Sequence, residues 1–93
     1  MAPISREASG QMLAILRRQA FNEGIPAGLP RGTVVAHKTG WFTGVYHDAA
    51  VVEPAGRAPY ALVVLTRGIK EAPRAHDLVA RISRSAYEHT TGR

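Results

Sequence analysis

The chain has no cysteine among its 93 residues, which removes disulfides, thiolate metal sites and thiol catalysis together. It has no apolar run near the ~18 residues that a membrane-spanning helix requires. The opening residues Met1-Ala2-Pro3-Ile4-Ser5-Arg6-Glu7 do not follow the basic-then-apolar order of a secretory signal, so the chain is expected to stay where it is made. No internal repeat, low-complexity tract or long linker divides it. The length sets a ceiling of one small domain, residues 1–93, in which burying a sufficient core is only marginally achieved.

What is present is positive charge, with 12 Lys and Arg against 7 Asp and Glu for a net charge of +5. Nucleic acid is the usual partner of such a balance, but it requires a clustered basic patch. Here the arginines, from Arg6 and Arg17 through Arg57 and Arg67 to Arg93, occur in every segment, and Glu7, Glu23, Glu53, Glu71, Asp77 and Glu88 lie between them. The distribution argues for a solvated surface and no nucleic-acid partner. Arg74, Arg81 and Arg84 read as the solvated face of a helix, with Asp77 and Glu88 as neighbours.

Apolar residues recur at helical spacing over 5–21 (Ala8, Met12, Leu13, Ile15, Leu16, Ala20), with Ser5 as N-cap, and predict an amphipathic helix. Asn22-Glu23-Gly24 stops it, and the prolines and glycines of 25–32 make an irregular connection. Strands are expected over 33–39, 46–52 and 60–66, with turns at 40–44 and at Pro54-Ala55-Gly56-Arg57. The third strand, Tyr60-Ala61-Leu62-Val63-Val64-Leu65-Thr66, is almost continuously apolar, which predicts that both its faces are covered. A closing helix begins near Pro73 and ends near His89, with Ala75, Leu78, Val79, Ile82 and Ala86 as one apolar stripe against the sheet. The fold class is α+β: helix, three-stranded antiparallel meander, helix. Such a meander leaves its most hydrophobic strand at an edge, and bare edges of that kind are rarely tolerated. Another strand of a larger protein, a second copy of the chain or a covering helix is expected there.

The chemistry-bearing stretch is Val34-Val35-Ala36-His37-Lys38-Thr39-Gly40-Trp41, an apolar strand ending in a cation, a hydroxyl and a glycine. Lys-Thr-Gly at a strand end is one of three motifs shared by serine β-lactamases and penicillin-binding proteins. Together with the order of helix, strands, turns and helix, it makes the chain resemble the C-terminal portion of class A β-lactamase-like serine hydrolases. The likeness covers almost the whole chain but only about the last third of a family member. It implies a partial β-lactamase/transpeptidase-like fold, and a parent reaction in which a serine attacks a β-lactam amide to give an acyl-enzyme that water hydrolyses. It implies no cofactor and no metal, and it implies as partners a β-lactam or peptidoglycan-like small molecule, with the missing N-terminal part of the fold or a second copy. Family members are typically exported.

On that resemblance Lys38 matches the lysine whose field draws in the substrate carboxylate, and Thr39 the hydroxyl that hydrogen-bonds it. Gly40 lets the ligand approach the backbone closely, and Trp41 sits where the family supplies an oxyanion-hole N–H. The other two motifs are missing: no serine stands three residues before Lys38 or Lys70, and the only asparagine is Asn22, so neither Ser-x-x-Lys nor Ser-Asp-Asn occurs. Without that nucleophile no catalytic residue is assigned, and the chain alone is expected to be inactive. Many class A enzymes also carry an arginine on the next strand, where this chain reads Tyr46-His47-Asp48.

The remaining candidates are weaker. His37 reads as a packed or exposed strand histidine with no neighbouring nucleophile. His47 and Asp48, adjacent on a strand, point to opposite faces and cannot serve one ion or relay one proton, and His76-Asp77 on a helix is not fixed near them. Asp48 is a candidate for hydrogen-bonding the turn that positions Trp41. Trp41 itself either stacks on a substrate ring or fills a gap in the core.

Overall fold

Local sequence chemistry sets the first element: the Ser5 hydroxyl accepts the Ala8 N–H at 3.0 Å, capping helix α1, Arg6–Leu16. The computed structural model describes residues 5–18 and 22–92. Helix α1 is shorter than the 5–21 periodicity suggests, because Arg17 already closes it as C-cap. The expected last stretch, including Ala20, falls outside the described residues. None of the α1 residues is buried, and Met12 and Ile15 remain about half exposed. A 3-10 turn, Ile25–Gly28, follows with Pro26 in its first positions. Then come β1 (Val34–Phe42), β2 (Val45–Glu53), β3 (Tyr60–Arg67) and the long helix α2 (Ala72–Thr91).

The sheet is an antiparallel meander in the order β1-β2-β3, as the α+β reading requires. One boundary differs. The turn expected over 40–44 is only Thr43 and Gly44, and β1 continues through Gly40 and Trp41 to Phe42. The reason is cross-strand packing: Trp41 pairs with Tyr46 and Phe42 with Val45, and aromatic pairs of this kind extend a ladder. Gly44, at φ 74°, takes the left-handed conformation that a turn this tight demands.

Strand alternation and the pairing register divide the sheet into two faces. Val35, His37, Thr39 and Trp41 of β1 share one face with Tyr46, Asp48, Ala50 and Val52 of β2 and with Tyr60, Leu62, Val64 and Thr66 of β3. This face carries the core, where Tyr46, Ala50, Val52 and Val64 pack with Ile25 and with Ala75 and Val79 of α2. Burying a side chain such as Val79 or Val52 completely contributes about 2 kcal/mol each. The Thr66 hydroxyl adds a polar stitch, donating to the Tyr46 carbonyl at 2.9 Å and accepting the Tyr46 N–H at 3.2 Å.

Two expectations fail in instructive ways. The stripe of α2 that is fully buried is Ala75, Val79 and Ser83, while Leu78 and Ile82 are 40% and 38% exposed. Ser83 takes the inner position because its hydroxyl donates to the carbonyl of Ile25 at 2.8 Å, tying the 3-10 turn to α2. The second concerns β3, whose two faces are not both covered: Val64 is buried, but Val63 and Leu65 are 62% and 69% exposed on the opposite face. Among the described residues nothing pairs with the outer edge of β3.

The 3-10 turn approaches α2 backbone to backbone. A Cβ at Gly28 would run into the Ala80 carbonyl and lie 2.9 Å from the Arg84 nitrogen. Both obstacles are helical main chain and cannot swing aside, so Gly28→Ala should push the turn off α2 and cost about 2 kcal/mol or more. Equilibrium urea unfolding checks this: an unchanged midpoint would mean that the turn is not held against the helix.

Candidate functional site

The candidate strand is held by a buried polar hub that its sequence only partly advertises. Asp48 and His37 lie diagonally across the β1-β2 ladder on the core face, 0% and 2% exposed. The imidazole Nδ1 of His37 is 3.0 Å from Asp48 Oδ1. The other carboxylate oxygen, Oδ2, accepts the Ile25 N–H at 2.9 Å, and His37 Nε2 lies 3.2 Å from Asn22 Oδ1. One carboxylate thus joins β2, β1 and the 3-10 turn. His37 is therefore a packed histidine, and Asp48 bonds Ile25 and His37 rather than the turn beside Trp41. His47 indeed points to the other face from Asp48, opposite Gly40 in the ladder.

The hub fixes the next four residues of β1. Lys38 is exposed on the face away from the core, with its ammonium donating to the Thr39 carbonyl at 2.9 Å. Thr39 is half-buried on the core face, and Gly40 is exposed. A Cβ at Gly40 would meet only the His47 ring, at 3.8 Å, so the backbone there is open to a close approach. Because β1 pairs with β2 alone among the described residues, alternate N–H and C=O groups of this stretch point outward along a free edge. Among the described residues the main-chain groups of this rim are open to an added strand, with Lys38 and Thr39 projecting to opposite faces beside it.

Trp41 turns its side chain to the core face and remains 52% exposed. Its ring sits 6.1 Å from Tyr46 and 6.2 Å from His76 between centroids, and Tyr46 meets His76 edge-on at 4.6 Å. Trp41 packs on Tyr46 and on the start of α2 while keeping one side open. Burial pushes the Tyr46 phenol up to about 12, with the charges of Asp48 and Glu23 adding to the effect. The grouping of Trp41, Tyr46, His76 and Glu23 was not legible as a cluster, since its members come from four segments. His76 and Asp77 stay apart from the His37-Asp48 pair, and among the described residues no three potential metal ligands converge. No described helix is long and apolar enough to cross a membrane.

A family model described as the β-lactamase enzyme family matches residues 2–90. The chain belongs to the β-lactamase enzyme family. Solved structures agree. The structure of PBP-A matches with a TM-score of 0.84 and 32% identity, covering 97% of this chain and 34% of that one. A mutant of PBP-A, solved as an acyl-enzyme complex with penicillin G, gives a TM-score of 0.88 at 30% identity, with the same coverage of 97% and 34%. A class A β-lactamase from Mycobacterium abscessus gives a TM-score of 0.82 at 27% identity over 97% of this chain and 35% of that one. The chain therefore has a partial β-lactamase-like fold and spans about a third of the length of these proteins. Among curated proteins no sequence matches it.

Two outcomes follow from the hub and its neighbour. Asp48→Ala strands the Ile25 amide and the His37 ring without their acceptor in a buried place, and should cost about 3 kcal/mol of stability, read as a lower midpoint in urea. A loss under 1 kcal/mol would mean the hub is dispensable. For Tyr46 the sign is set by a folded phenol that resists ionisation up to about 12 while the unfolded one ionises near 10. The unfolded chain then binds fewer protons between about pH 10 and 12, so stability falls as pH rises through that window. Absorbance at about 295 nm should show part of the tyrosine ionisation delayed to about pH 12, and a single ionisation step near pH 10 would contradict it.

Proposed function

We propose that this chain supplies the substrate-binding edge of a serine β-lactamase-type acyl-transfer site. The observation that carries the reading is that Lys38, Thr39, Gly40 and Trp41 lie on the free edge strand β1, with Lys38 and Gly40 exposed, in a chain that belongs to the β-lactamase enzyme family. Lys38 attracts and Thr39 hydrogen-bonds the carboxylate of a β-lactam or peptidoglycan-like compound. The N–H of Trp41 is one oxyanion donor, worth roughly 3 kcal/mol of transition-state stabilisation in a complete site. The acyl-enzyme in the PBP-A mutant complex with penicillin G supports this chemistry for the parent fold.

The attacking serine is outside this sequence, which contains neither Ser-x-x-Lys nor Ser-Asp-Asn. Residues 1–93 act as one partial domain, inactive alone, whose donor N–H has nothing to stabilise until a nucleophile is brought to it. A complementing segment, the N-terminal part of a related hydrolase, completes the site. The purified chain should give no turnover of a chromogenic cephalosporin above background. Mixed with an N-terminal fragment of a related hydrolase it should recover turnover, and Lys38→Ala should lower the recovered rate by about 10- to 100-fold, the worth of a charged hydrogen bond. Turnover by the chain alone, or recovered activity indifferent to Lys38→Ala, would refute the assignment.

A second reading is favoured by the exposure of Val63 and Leu65 beside the open edge of β3. In it the chain is a noncatalytic module that associates with a second copy of itself through that edge. Sedimentation at micromolar concentration separates the two readings. Self-association that Val63→Lys abolishes supports the second, and a monomer throughout removes it.

A further inference from the structure

The four residues around Trp41 form a cavity that the acyl-transfer reading does not use. It measures about 240 Å³ and is lined by Glu23, Trp41, Tyr46 and His76. Its three rings are inclined to one another at 57° to 63° with centroids between 4.6 and 6.2 Å apart, so they are not stacked flat but set as walls. Tyr46 is 4% exposed, and its hydroxyl is buried with no hydrogen-bond partner among the described residues. Gly24, next to Glu23, comes so close that a Cβ there would stand 2.6 Å from both the Tyr46 hydroxyl and Asp48 Oδ2. The chain segment carrying Glu23 therefore closes down on the phenol.

The formal charge among the residues that line this cavity is that of Glu23. Glu23 lines it, and Asp48 stands behind Tyr46, close enough that both carboxylates act on the phenol. The nearest lysine in sequence, Lys38, projects from the opposite face of β1 and is tied to the Thr39 carbonyl. Aromatic faces present negative electrostatic potential, and a carboxylate beside them adds to it. An apolar-walled space with that potential is suited to a cation that is poorly hydrated and bulky enough to touch several rings, and ill suited to an anion or to a small, strongly hydrated metal ion.

We infer that Trp41, Tyr46, His76 and Glu23 form an aromatic cage that binds an organic ammonium group. Trp41, 52% exposed, supplies the open ring, His76 and the deeply buried Tyr46 complete the wall, and Glu23 supplies the counter-charge. The cage lies about 10 Å along the strand from Lys38, three residues at the usual rise, on the other face of the sheet. It therefore operates whether or not the edge of β1 takes part in acyl transfer.

Trp41 is the only tryptophan of the chain, so its fluorescence reports directly from the cage wall. The test is a titration of the intact chain with choline and, separately, with 3,3-dimethyl-1-butanol, which has the same shape without the charge. Choline should bind about ten times more tightly than the neutral compound. Glu23→Gln, a change at an exposed position, should reduce choline affinity about fivefold or more and leave the neutral compound unaffected. Equal affinities would make the cavity a merely apolar pocket and overturn the inference, as would a Glu23→Gln chain that still binds choline as before. No fluorescence response to either compound would overturn it as well. Because no acylation is read, these results are independent of the cephalosporin assay.

Discussion

The carboxylate of Asp48 is the constraint on which the rest depends. It is fully buried, and each of its oxygens holds a different part of the chain: His37 of β1 through one, the Ile25 amide of the 3-10 turn through the other. A buried carboxylate is expensive unless its acceptor capacity is met. The chain is therefore compelled to bring the turn, β1 and β2 together in one arrangement. The position of Lys38 follows directly, since the residue after a buried, hydrogen-bonded His37 must project the other way. The same carboxylate thus sets both where the core closes and where the Lys38 side chain emerges.

Around this hub the second layer is fastened by groups that are small rather than large. Gly28 lets the 3-10 turn touch the main chain of α2, and Ser83 hydrogen-bonds the carbonyl of Ile25 from the facing helix. Ile25 is thereby gripped from both ends, its N–H by Asp48 and its C=O by Ser83, while its side chain is fully buried. One residue of an irregular connection joins the polar hub to the apolar core. Helix α1, by comparison, packs on β1 with no residue fully buried, and just beyond it Arg17 pairs with Glu53 at 2.8 Å, an interaction worth at most about 1 kcal/mol in solvent.

Much of this was legible from residue order alone. Ser5 as cap, the three strands, their meander and the second helix follow from periodicity and turn chemistry, and the Lys-Thr-Gly strand with its surroundings pointed to the family. The misreadings share a physical origin. A glycine at position 40 predicts the start of a turn, although Trp41 and Phe42 find cross-strand partners that outweigh it. That three-residue shift conceals the register, and with it the meeting of His37 with Asp48 and of Trp41 with Tyr46. On α2, hydropathy favoured Ile82 over Ser83 for the inner stripe. Hydropathy cannot register that the carbonyl of Ile25, fixed by distant residues, requires a donor there. The continuous apolar run of β3 predicts cover on both faces, but among the described residues nothing covers Val63 and Leu65.

Among the described residues the sheet has two free rims, and β2 separates them. Adjacent strands lie about 4.8 Å apart, so the outward edge of β1 and that of β3 are about 10 Å from each other across the ribbon and face in opposite directions. A polypeptide that adds itself beside β3 consequently extends the sheet without narrowing the passage along β1. The two rims are sterically uncoupled in this architecture, and variation at one can accumulate without obstructing the other.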